Sequence, residues 1–403
     1  MRIENARNNK PWRLWRATDL RSLMYVNVVF AQILGFLPYE FKPGGCVALS
    51  IARFIYSSIT TLVYLFSLVL ALYLINFCDT NDLSVPEALD TNSFFILDGF
   101  AIISIYFTAY KGLILYQKLF KLSQILSVQD FNRMSKFVHT KDAMVILYFL
   151  GCLPKSIAGV DLITASRLIS LYTTISHFAM DMCYMNCVSV LGSCFEKVNE
   201  NLKRLNEPTT DREPESSLVR TPLLRRQSLL MLMKLKYYEE LHQEISDAVE
   251  SVNDTFLVRI IIISITTFTV VTFNTYYSLL WIVSGFPAIP NRMFWFMPHW
   301  LVTIYYFSKF SLIIWACQSA TNRAREIGTT VHVILNDSND MIKRELRNFS
   351  LQMLHREIHF SARAITINAK LLTQHLLPLL TPFANSRDIL SILTSLTSTR
   401  RCL

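Results

Sequence analysis

The chain has 403 residues, 52% of them hydrophobic and 17% charged, with a net charge of +9 and a mean hydropathy of +0.33. A water-soluble chain of this length carries less apolar and more charged material, so a soluble globular domain is excluded. The positive excess collects in alternate gaps between apolar runs, which marks membrane orientation and leaves no case for nucleic-acid binding.

The N-terminal stretch holds Arg2, Arg7, Lys10, Arg13, Arg16 and Arg21. It lacks a short apolar core followed by a small-residue cleavage site, so no cleavable leader is expected and the first span serves as the insertion signal. Residues 23–39 are apolar but end in Gly35 and Pro38 and are short for a span. An interfacial or re-entrant helix is expected there, with Trp12, Trp15 and Tyr39 as headgroup anchors.

Six apolar stretches follow, at 51–78, 93–110, 143–163, 167–195, 256–284 and 294–318. A helix of about 20 apolar residues crosses a hydrocarbon core of about 30 Å and satisfies its own backbone polar groups. The gap at 79–92 has only acidic charge, in Asp79, Asp82, Glu87 and Asp90. The gap at 111–142 holds Lys111, Lys118, Lys121, Arg133, Lys136 and Lys141, and the gap at 196–255 holds Lys203, Arg204, Arg225, Arg226, Lys234 and Lys236. The gap at 285–293 has only Arg292, and 319–370 is basic again. This alternation predicts a cytosolic N-terminus and a return to the cytosol after six spans. The sequons at Asn253, Asn336 and Asn348 then face the cytosol and are expected to stay unglycosylated.

The fold class is therefore all-α, a polytopic helical membrane protein with six clear spans. The two ends of 196–255 show three- and four-residue apolar spacing, flanking a polar loop from Asn206 to Pro222. The second of these helices is expected to run straight into the fifth span as one rod. Residues 319–360 are expected to continue the sixth span in the same way. Such amphipathic extensions need partners, which points to an oligomer.

Chemistry-bearing patterns are sparse. Phosphate loop, nucleophile elbow and paired carboxylates at metal spacing are all missing, so no catalytic residue, cofactor or metal is expected and the chain is not read as an enzyme. His355, Glu357 and His359 approach a zinc motif without its order. The eight cysteines are scattered without a disulfide or zinc pattern.

Ionisable groups at membrane depth default to functional hypotheses. Asp98 lies in the second span and Asp161 at the end of the third. His177 and Asp181, four apart in the fourth, share a face. Arg259 and Lys309 are expected to snorkel to the cytosolic interface. Asn274, Tyr276, Tyr277 and Trp281 in the fifth span, with Trp295, His299, Trp300, Tyr305 and Tyr306 in the sixth, fit either an interfacial aromatic belt or a small-molecule pocket. The candidate pocket set is Asp98, His177, Asp181, Asn274, Tyr277, Trp281, Trp300 and Tyr305.

The segment from Arg344 to Thr373, RELRNFSLQMLHREIHFSARAITINAKLLT, resembles the C-terminal block of insect gustatory receptors. Phe349, Gln352, Phe360, Ser361, Ala362, Asn368, Leu371 and Leu372 occupy the family's motif positions, and Gly35, Pro38 and Tyr39 look like its N-terminal pattern. The resemblance covers about residues 20–373. It implies a domain at 1–373 whose cytosolic anchor is built from about 196–255 and 319–370. It further implies a tastant-gated cation channel in the plasma membrane of chemosensory neurons, a homo- or hetero-tetramer in lipid, with seven spans and an outer pocket among spans two to six. The tail at 374–403 departs from the family. Pro378, Pro382 and the run Asn385, Ser386, Arg387, Asp388 replace the apolar pore helix with its Thr-Tyr and Gln-Phe pairs. A Pro-broken, charged segment does not make a continuous span, so against the family it is a degraded seventh, and the alternative reading is a pore-less form or a gene-model artefact. A bitter-type or broad ligand range is favoured over sugars. A transporter subunit is the alternative class, although internal repeats are missing. A G-protein-coupled receptor would need the opposite orientation.

Overall fold

The computed structural model describes residues 15–41, 47–77, 85–157, 162–206, 220–283, 292–337, 340–356, 358–362 and 365–366. Helix α1 (Leu20–Ile33) is set by a capping box in which Asp19 accepts from the Ser22 amide at 2.7 Å and the Ser22 hydroxyl oxygen accepts from the Asp19 amide at 3.1 Å. Its 14 residues span only about 21 Å, too short to cross. α1 instead lies against the bundle, burying Leu20, Leu23, Met24, Asn27, Val28 and Ala31.

Gly35 ends that helix at φ +84°, where Thr60 occupies the place of any Cβ, so only glycine fits. The chain then forms a small hairpin, β1 (Tyr39–Phe41) antiparallel to β2 (Val47–Leu49). The anchor role expected of Tyr39 is overturned. Its ring is 2% exposed and its hydroxyl donates to the Ala109 carbonyl, while Gln32 and Arg53 donate to its own carbonyl. Chain folding back over the bundle gave this tyrosine a protein environment instead of a headgroup one.

The remaining helices are α2 (Ile51–Phe77), α3 (Val85–Leu122), α4 (Val128–Ile157), α5 (Leu162–Asn206), α6 (Arg220–Val283), α7 (Arg292–Asp337) and α8 (Asp340–His355). Among the described residues five of them, α2, α3, α5, α6 and α7, are long and apolar enough to cross a membrane. α4 carries the third predicted span in its second half. Lys141 and Asp142 stand just before that apolar stretch and pair with each other at 2.8 Å.

The bundle is organised around α5, whose apolar window is 94% buried, whereas that of α2 is 17% buried. Small residues explain the difference. Ser176, Ala179, Cys183, Cys187, Gly192 and Cys194 let neighbours approach α5 closely, and α7 packs on it most extensively. A Cβ placed on Gly192 would lie 3.1 Å from the Ala320 Cβ of α7. α2 instead turns Leu62, Val63, Phe66, Val69 and Phe77 outward, as a helix bathed in lipid does.

α6 is the rod expected from the sequence, 64 residues without a break and about 96 Å long, three times the hydrocarbon thickness. The other expected rod is divided. α7 ends at Asp337 and α8 restarts at Asp340. The gap expected at 111–142 is also helical. α3 continues to Leu122 and a single 3-10 turn, Ser123–Ile125, leads into α4. Leu115, Tyr116, Leu119 and Leu122 are all buried there at helical spacing.

The helical extensions pack on one another at the end opposite the α2–α3 connection. α8 buries Ile342, Leu346 and Phe349 against α6 and α7. The His242 ring of α6 lies between Phe195 and Phe349, at centroid distances of 5.7 and 5.5 Å. Burial, and next the positive Arg356, hold this imidazole down at about 4. Ion pairs tie the same region: Lys121–Glu244 at 2.7 Å, Lys236–Glu345 at 3.8 Å, and Arg356 with Asp247. Of the motif residues, Phe349 and Phe360 are core and Gln352 donates to the Glu239 carbonyl at 3.4 Å. A second two-residue ladder pairs Ser361–Ala362 with Ile365–Thr366. Asn368 and the tail at 374–403 lie outside the described residues.

Candidate functional site

Five helices, α3 to α7, converge on a cavity of about 340 Å³ at the end away from the helical extensions. That size falls within the range of small-molecule sites. Phe94 of α3, Tyr148 and Phe149 of α4 and Tyr305 and Tyr306 of α7 give it aromatic walls. Asp90, Thr91, Ser170, Thr174 and Asn274 add polar groups. The aromatic floor is ordered by its own contacts. Tyr148 and Tyr305 stack at 4.9 Å with an interplanar angle of 3°, and Tyr306 meets Tyr305 edge-on at 5.2 Å. Phe149 stands edge-on to both Phe178 and Tyr305.

Beneath that floor lies a buried charge network. Lys309 sits 4.8 Å from the Tyr306 ring centroid and 5.4 Å from that of Tyr305. Its amine is 2.9 Å from Asp181 Oδ2. Arg259 approaches Asp181 Oδ1 at 2.8 Å through Nη2 and donates to the His177 carbonyl at 2.8 Å. His177 Nε2 lies 2.8 Å from Asp98 Oδ1. All five side chains are at most 4% exposed. With His177 neutral, two carboxylates balance two cations, which is the condition for such groups to stand at membrane depth.

The network overturns the expectation that Arg259 and Lys309 snorkel outward. A long side chain reaches water only when nothing nearer satisfies it, and Asp181 satisfies both. His177 and Asp181 do share a face of α5, but each pairs across to another helix.

Of the eight candidate pocket residues, the structure brings Asn274 and Tyr305 to the cavity wall. Asp98, His177 and Asp181 lie below it in the network. Tyr277 stands one turn beyond Asn274, stacked with Phe273 at 6.3 Å. Trp300 is 37% exposed and does not line the cavity. The Trp281 side chain and Asp161 lie outside the described residues. Sequence reasoning missed Asp90, Tyr148 and Thr174 as wall residues. The signal for Asp90 was its place one turn before Phe94 on a common face.

A second cavity, of about 200 Å³, opens between α4, α5 and α7 near the extensions. Its charges satisfy each other: Glu196 holds Arg133 at 3.0 Å and Arg323 at 2.9 Å, and Lys197 reaches Glu200 at 3.2 Å. No group of three or more His, Cys, Asp or Glu able to hold a metal occurs among the described residues.

A helical bundle with several membrane-length helices around α5 is the architecture of a multi-pass membrane protein. Residues 24–363 match the family model described as 7tm Chemosensory receptor, and the chain belongs to that family. Its fold is similar to that of the insect olfactory receptor OR5 from Machilis hrabei, with a TM-score of 0.65 at 13% identity over 91% of this chain and 97% of that one. The same receptor in complex with eugenol aligns with a TM-score of 0.62 at 14% identity, over 93% and 98% of the two chains. No curated protein matches the chain.

Proposed function

We propose that the chain is a gustatory receptor subunit that binds a small-molecule tastant in the cavity between α3 and α7 and gates a non-selective cation channel. The carrying observation is the cavity itself, an aromatic-walled space of about 340 Å³ formed jointly by five helices. A ligand seated among five helices can change their relative positions, which is what gating requires. The eugenol complex of a structurally similar receptor supports a small organic ligand.

In this reading the subunit sits in the plasma membrane with its N-terminus in the cytosol, as the basic gaps require. α8 and the first 36 residues of α6 then form the cytosolic anchor, where exposed Leu229, Leu230, Met233, Leu351 and Leu354 await neighbouring subunits of a homo- or hetero-tetramer. Bitter-type or broad ligands suit the cavity better than sugars, because aromatic rings dominate its walls. The second reading, a subunit that binds ligand without conducting, rests on Pro378, Pro382 and the polar run at 385–388.

The test is ligand-evoked cation current in cells expressing the chain, alone and with an apolar seventh helix in place of 374–403, each with and without Thr174→Trp to fill the cavity. Current from both forms that Thr174→Trp abolishes supports a channel. Current only from the repaired form supports the pore-less reading. Current insensitive to Thr174→Trp rejects the cavity.

A further inference from the structure

Among the described residues, Asp90 is the only formally charged one on the cavity wall. It has no salt bridge or hydrogen bond among the described residues. The layer below is held differently, since Asp181 there meets Arg259 at 2.8 Å and Lys309 at 2.9 Å. That layer is also neutral overall, so nothing beneath the floor compensates the Asp90 charge. A half-buried carboxylate without a partner has lost part of its hydration and received nothing in return. The remaining walls are π-faces: Phe94 one turn along from Asp90, then Tyr148, Tyr305 and Tyr306. A carboxylate with several aromatic faces is the recognition chemistry of an organic ammonium ion. The carboxylate takes the charge-assisted hydrogen bond and the rings attract the cation and cover its carbon skeleton.

We propose that the cavity selects protonated amines, with Asp90 as the residue that reads the positive charge and the tyrosine floor as the surface that holds an aryl or alkyl body. The proposal rests on the cavity being the ligand site and adds the chemical class of the ligand. Neutral alcohols of the same shape offer the Asp90 carboxylate a hydrogen bond without the balancing charge, and carboxylates meet it with like charge.

The experiment uses the full chain in lipid nanodiscs, titrated at neutral pH with 2-phenylethylammonium, 2-phenylethanol and phenylacetate, read by ligand-induced shift of the melting temperature. The ammonium is expected to bind about tenfold or more tighter than the alcohol, with no binding of phenylacetate. Asp90→Asn is expected to erase that preference, weakening the ammonium about tenfold or more and bringing its affinity to that of the alcohol. Equal binding of amine and alcohol, both abolished by Thr174→Trp, overturns the charge selectivity but keeps the cavity. An amine preference that survives Asp90→Asn overturns the role of Asp90. Amine binding untouched by Thr174→Trp overturns the cavity as the ligand site.

Discussion

Asp181 is the keystone of the buried network, because it alone faces two cations. Replacing it with Asn keeps the volume and removes the charge. Arg259 and Lys309 then confront only Asp98, which already lies against His177, and the cluster carries an excess positive charge among side chains at most 4% exposed. Breaking a buried pair by removing one partner costs about 3–5 kcal/mol. For a chain of this size that corresponds to a fall in melting temperature of about 4–6 °C. The assay is thermal unfolding in nanodiscs followed by intrinsic tryptophan fluorescence. The reasoning makes a second demand. Adding Lys309→Met to Asp181→Asn removes the surplus cation and restores neutrality, so the double variant should be more stable than Asp181→Asn. An Asp181→Asn protein that melts with the unaltered one refutes the network's importance, and a double variant less stable than the single refutes the charge-balance account.

Three further outcomes follow from other parts of the structure. Gly192→Leu should separate α5 from α7 and cost about 1–3 kcal/mol by overpacking, while Gly192→Ala should cost less, because Ala320 need move only slightly; unfolding of both variants checks the order. The folded state holds the His242 imidazole at about 4 against an ordinary value near 6.5, so its stability contribution is full above that ordinary value and is lost as pH falls through about 4; the limiting loss is about 3 kcal/mol, and His242→Phe should flatten the acid limb of a stability–pH profile. Glycan mapping in a secretory cell line should find Asn253, Asn336 and Asn348 unmodified. Asn253 is further held by its hydrogen bond to the His359 carbonyl at 2.8 Å, and a glycan on any of the three would reverse the proposed orientation.

Much of this helical architecture was legible because hydrocarbon length is a one-dimensional signal. The rod formed by α6 could be read from an amphipathic pattern running without Pro or Gly into an apolar one. The break between α7 and α8 could not, since Asp337, Ser338, Asn339 and Asp340 suit a helix N-terminus as well as a loop. Tyr39 and Arg259 show the limit most directly. Each is an amphipathic side chain near an apparent membrane boundary, and interfacial placement is the correct default for either. What decides their fate is a partner distant in sequence, Ala109 for Tyr39 and Asp181 for Arg259, and pattern along the chain carries no such information. The cavity shows the same split. The aromatic pair in α7 was visible, but Tyr148 and Asp90 became wall residues only through the packing of five helices.

The unbroken length of α6 makes it a lever with a defined pivot. Arg259, clamped by Asp181 and the His177 carbonyl, is the fulcrum. From there the short arm to Asn274 at the cavity is about 22 Å, and the long arm to Arg220 is about 58 Å. A tilt that shifts the cavity end by about 1 Å therefore swings the far end by about 2.6 Å in the opposite direction. A movement too small to notice at the ligand becomes, at the other end of the molecule, comparable to half a helical turn.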